Sequence, residues 1–204
     1  MFLDALLGAL RDRIQLLRSP GSRSTIERQE SYLKGQKAVN RRWETRDTPE
    51  GPVTTRTATI EPVEEIVVPM PESMLAEVRE ASGLVLRFVH DHVRAFDAPN
   101  WSLKDLDEAF ANWQTGGDKR NYPPEAVEQI VGSAFGECCV DKLGMSWVLV
   151  TDAYGTAAAV EGTGTGERYK SMRSFPFAVV SKRIEAGESD FLIGIYRTLQ
   201  AGMT

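Results

Sequence analysis

The sequence predicts an α+β fold, with helices packed on a small antiparallel sheet and an N-terminal amphipathic helix and hairpin arm outside the main unit. Three observations carry this. Segments with helical and with strand periodicity are segregated along the chain and do not alternate as βαβ, which argues against a doubly wound nucleotide-binding fold. The 204 residues are 42% hydrophobic, enough to bury a core without disulfides. Charge also divides the chain: residues 18–56 hold nine Lys or Arg against five acids, whereas residues 57–204 hold 13 against 22. We therefore expect an arm over residues 1–60 and an α+β domain over residues 61–204.

Leu3, Leu6, Leu7, Leu10, Ile14 and Leu17 recur at helical spacing, predicting an amphipathic helix over 2–18 that ends at Ser19-Pro20-Gly21. Residues 19–36, rich in Ser, Gly, Arg and Gln, read as a linker. AVNRRWETRD and PVTTRTATIE then flank the turn TPEG, predicting a polar, Thr-rich hairpin over 37–60. From Pro71 one long helix is expected, its apolar stripe running through Met74, Val78, Ala81, Val85, Phe88 and His92. Ser102 with Asp105 three residues on reads as a capping box for a shorter helix through Leu106, Phe110 and Trp113, stopped at Gly116-Gly117. Pro123-Pro124 start the next helix, and Leu143-Gly144 end it.

At Trp147 the period changes. SWVLVTDA and GTAAAVEG read as strands joined through Asp152–Gly155, GTGTGE as a mobile loop, and RYKSMRSF as a third strand. PFAVVSKRIEAGE and SDFLIGIYRTLQ read as two closing helices, the second capped by Ser189 or Asp190.

The densest stretch is VGSAFGECCVDKLGMSW, residues 131–147. Glycine inside a helix costs about 1 kcal/mol relative to alanine, so Gly132 and Gly136, four apart, are expected to admit neighbouring main chain closely. Glu137 and Asp141 share a face, and a carboxylate pair at this spacing is a candidate acid/base pair or pair of hard-metal ligands, or else a rim charge for Lys142, Arg173 or Arg183. Cys138 and Cys139 are adjacent, and without a second pair or CxxC spacing they read as reduced core thiols and not a zinc site. His92 lies on an apolar seam and reads as a hydrogen-bonded core histidine, with a general base as the alternative, and His90 points about 200° away, so the two cannot chelate one ion. Tyr154, Tyr169, Lys170 and Arg173 are candidate binding residues for an anion near the strand hairpin. No Walker, HExxH, GxSxG or Rossmann pattern occurs, and neither a metal nor a cofactor is expected.

The C-terminal part resembles an uncharacterised family of bacterial domains of unknown function. The residues that carry the resemblance are Gly132 to Glu137, Leu143-Gly144, Trp147, Asp152 to Gly155, and Pro176 followed by Lys182 to Glu188, within residues 72–200. The resemblance implies no reaction, and domains of this look include interaction and immunity-type modules. With no run of 18 apolar residues and no cationic start, a membrane span and a signal peptide are not expected, and the cytoplasm is. The function expected is a non-enzymatic protein-interaction domain that binds a partner or itself through residues 2–18 and 37–60. The alternatives are a small-molecule-binding or hydrolase-like enzyme using Glu137 and Asp141, and nucleic-acid binding by the basic arm. The arm's bases alternate with acids and form no block, which disfavours nucleic acid.

Overall fold

The computed structural model describes residues 38–48, 51–60, 65–94, 96–116, 119, 121–152, 155–165 and 170–203. The helix expected over 2–18 and the linker after it lie outside these. Strands β1 (Ala38–Thr48) and β2 (Gly51–Ile60) form an antiparallel hairpin by themselves. Thr45 and Thr54 share a hydroxyl hydrogen bond of 3.0 Å across it, and Thr48 Oγ1 donates to the Gly51 carbonyl at 2.7 Å in the turn. At about 3.3 Å per residue the ribbon is roughly 35 Å long. Its strands contact each other far more than they contact any other described element.

The body opens with a strand too short to show a period in the sequence, β3 (Ile66–Pro69), the edge of a four-stranded antiparallel sheet. Two helices follow, α1 (Glu72–Ser82) and α2 (Val85–His92), then α3 (Leu103–Gly116) and the longest helix, α4 (Pro124–Leu143). Strands β4 (Ser146–Asp152), β5 (Gly155–Thr163) and β6 (Ser171–Ser174) complete the sheet in the order β3-β4-β5-β6, and α5 (Pro176–Ala186) and α6 (Leu192–Met203) close the chain. This is an α+β fold.

The single helix expected from Pro71 is in fact two. Its stripe is continuous, with Val78, Ala81, Val85 and Phe88 all buried. The break falls at Gly83-Leu84, where the Gly83 N–H returns to Arg79 and the Leu84 N–H to Ala81 before a new helix starts. Glycine's low helix propensity makes this the cheapest place to bend. Elsewhere local devices act as read: Ser102 and Asp105 exchange capping bonds of 2.8 and 3.3 Å, and Gly144 and Gly187 end α4 and α5 in the left-handed region at φ 67° and 68°.

The core lies where α4 crosses the sheet and meets α1, α3 and α5, and is built on Phe88, Phe110, Trp113, Ile130, Phe135 and Phe177. The other sheet face carries a smaller cluster, Val148, Val150 and Ala159, with Phe175 against it.

The hydrogen-bond phase of β3 follows from one bond. The Met70 N–H reaches the Trp147 carbonyl at 3.1 Å, and alternation in an antiparallel ladder then turns Ile66 and Val68 toward β4 and Val67 and Pro69 away from it. Proline, which has no N–H, thus occupies an outward position where a missing donor breaks no ladder bond.

Candidate functional site

α4 is buried around most of its circumference. A β-carbon at Gly132 would lie 2.7 Å from the Phe177 ring, and one at Gly136 would lie 2.1 Å from the Trp147 ring. The glycines thus make room mainly for two aromatic side chains, and the main-chain approach expected there is limited to the Phe177 Cα beside Gly132. The two rings stack on each other, with centroids 5.7 Å apart and 25° between planes. The Trp147 indole N–H donates to Glu137 Oε1 at 2.8 Å. Glu137 is half-buried and Asp141 exposed. A buried indole leaves one polar atom to satisfy, and the half-buried carboxylate does so at the rim of the core. Arg173 and Arg183, expected as partners of this acid pair, go elsewhere: Arg183 pairs with Glu188, and Arg173 with Glu65 and Glu161.

Cys139 is fully buried and Cys138 partly so, and both thiols are free. Burial, with the Cys138 charge a smaller cause, pushes the Cys139 thiol up to about 12, the opposite of what a reactive thiolate needs.

The His90-Asp91-His92 stretch ends α2. His92 Nδ1 donates to the Phe88 carbonyl at 2.8 Å, and its ring lies 4.6 Å from Phe88 and 5.0 Å from Tyr122. His90 is exposed, 3.9 Å from Asp91. The Tyr122 hydroxyl donates to Asp91 at 2.6 Å, and burial followed by that bond holds it well above its ordinary range. The imidazoles do not converge. Among the described residues no three His, Cys, Asp or Glu side chains gather as a metal shell would require.

Of the candidate anion ligands, Tyr154 and Tyr169 lie outside the described residues, and Lys170 is exposed. Arg173 is largely covered and is held at 2.8 Å by Glu65, just before β3, and at 2.7 Å by Glu161, its cross-strand neighbour on β5. With two carboxylates already on it, Arg173 serves as a brace within the sheet. The loop read as mobile is in part strand. Gly162 belongs to β5, where a β-carbon would meet Met203 at 2.5 Å, and the Thr165 N–H is held by the Gly202 carbonyl at 3.0 Å.

Asp107 is a polar residue that the sequence reading missed. It is buried on α3, and its carboxylate accepts the N–H groups of Leu192 and Ile193 at 3.0 Å each, capping α6 from another helix. The expected caps Ser189 and Asp190 do not fill that role, and Asp190 instead turns the chain at φ 59°. Burial raises the Asp107 pKa, partly opposed by the backbone donors.

Among the described residues, the large exposed apolar groups fall on the hairpin, on β3 and, at Leu86, on α2. Trp43 (65%) and Val53 (49%) are on the hairpin, and Ile66 (57%), Val67 (36%) and Val68 (44%) are on β3. No helix among the described residues is long and apolar enough to cross a membrane.

Comparison with known proteins gives little chemistry. No curated protein matches the chain. A solved structure from Bacteroides thetaiotaomicron VPI-5482 is similar at 12% identity, covering 83% of this chain and 76% of that one, with a TM-score of 0.48. The segment from α3 to α6 that holds Glu137, Trp147 and Phe177 matches, over residues 111–196, the family described as "Domain of unknown function (DUF3806)", an uncharacterised domain family.

Proposed function

We propose that the chain is a non-enzymatic protein-interaction domain in which an arm, residues 1–60, is carried by an α+β body, residues 61–204. The β1–β2 hairpin is the observation that supports this. An isolated two-stranded hairpin is at best marginally stable in water, yet strands of 11 and 10 residues stand together here with few contacts to any other described element. Trp43 and Val53 are exposed on that ribbon, and exposed aromatic groups of this kind serve as anchors in protein interfaces. Glu44 and Asp47 interrupt Arg41, Arg42, Arg46 and Arg56 along it, so the ribbon is net basic but bears no unbroken block of like charge of the kind that tracks a phosphate backbone. Glu137 holds an indole, which favours a scaffold role for α4 over an acid/base one. Two adjacent free thiols suit a reducing compartment such as the cytoplasm.

The test is chromatography with light scattering on the full chain and on a chain lacking residues 1–60, together with capture of host proteins on each. Association or capture by the full chain that the shortened chain loses is the expected result. Equal monomers that retain the same proteins, or none, would remove the arm's role.

A further inference from the structure

We infer that the open edge of β3 is a self-association surface, which takes a second copy of this chain by antiparallel pairing centred on Val67. The inference goes beyond the reading of the arm and concerns a separate surface, the body's own sheet edge.

Among the described residues β3 pairs with β4 alone, and Ile66, Val67 and Val68 stay exposed on both sides of the strand. An apolar edge of this kind presents unpaired main-chain groups to any strand that fits. The phase of the ladder selects which strand fits. Val67 turns both its N–H and its C=O outward, so Val67 of a second copy, related by a two-fold axis through this residue, can exchange two hydrogen bonds with it. The same register places Ile66 opposite Val68 of the second copy, a pair of β-branched side chains on one face. Glu65 falls opposite Pro69 of the second copy, so the acid meets no like charge, and the outward Pro69 carbonyl can accept the Glu65 N–H.

Glu65 is already paired with Arg173, which further reduces repulsion as the edges approach. Pro69 shortens the usable edge and works against open-ended stacking, so the expected product is a closed dimer and not a fibre. Four residues a side make a small interface, and association is expected to be weak and concentration-dependent.

The full chain is tested by light scattering across concentration, with Val67→Pro and Val67→Cys. Val67→Pro removes the outward N–H without touching a bond to β4. It is expected to weaken dimerisation by about tenfold or more while the circular dichroism melting curve stays unchanged. Cysteines at position 67 on the two-fold axis would have α-carbons about 5.5 Å apart, within disulfide range, whereas cysteines at position 68 lie a further step along the strand from each other. Mild oxidation should therefore cross-link Val67→Cys well above both the wild type and Val68→Cys.

A wild type that remains monomeric at about 0.1 mM, or equal cross-linking of the two cysteine variants, overturns the inference. If Val67→Pro leaves dimers intact while removal of residues 1–60 abolishes them, the edge is wrong and the interaction reading survives. If Val67→Pro abolishes dimers that survive removal of the arm, the edge stands, and the arm's role is then decided by capture of host proteins alone.

Discussion

At the scale of single residues, two glycines on different helices separate packing from propensity. Gly136 is filled by the Trp147 ring, whereas a β-carbon at Gly194 on α6 would meet nothing within 4 Å. Both gain helix propensity on conversion to alanine, about 1 kcal/mol, so their difference measures the clash. Gly136→Ala should lose about 1–3 kcal/mol net through overpacking against a rigid aromatic ring, and Gly194→Ala should gain about 0.5–1 kcal/mol. Urea unfolding of the two variants beside the wild type checks this, and equal midpoints for the pair would mean that the ring is not wedged there. The need for contact at Gly132 and Gly136 was legible because an interior glycine costs stability. That rings fill most of the space was not, because the partner depends on how β4 and α5 arrive.

At the scale of elements, the junction between α3 and α6 depends on one carboxylate. Removing Asp107 leaves two N–H groups at a covered helix start without their acceptor, so Asp107→Ala should cost about 2–3 kcal/mol. Its pH dependence has a definite sign. Burial raises the folded pKa above the unfolded one, so the folded state binds the proton more tightly, and stability from this group falls as pH climbs through the carboxylate range. The advantage of the wild type over Asp107→Asn should therefore narrow from about pH 3 to about pH 7 in denaturant titrations, and a widening gap would contradict the assignment. The helix ends themselves were readable: Ser102 with Asp105, Gly144 and Gly187 act within one turn of where they stand. The break at Gly83 was missed because the apolar stripe runs through it unbroken, and β3 because four residues are too few to show a period.

At the scale of the whole molecule, the hairpin and the body are expected to be energetically separate. The ribbon's own ladder holds it, and the core gathers on α4, so excising residues 38–60 removes little that the core buries. A chain with a short Gly-Ser join in their place should keep its urea midpoint while changing its association. A large drop in the midpoint would show that the ribbon supports the body. The edge of the sheet adds a second feature at this scale, since Pro69 sits outward where it limits pairing and Val67 sits outward where it permits it.

The sequence by itself determined the α+β class, the helix stops at Gly144 and Gly187, the strand hairpin of β4 and β5 and the amphipathic stripes, because these depend on backbone preferences and periods acting over a few residues. Only the tertiary structure decided which polar group meets which: Asp107 with α6 across 85 residues, Arg173 with Glu65 across 108, and Glu137 with the Trp147 indole. Each of those pairings exists because packing excludes water from a donor or acceptor that must then find a partner, and the nearest partner is set by the fold and not by the chain's local order.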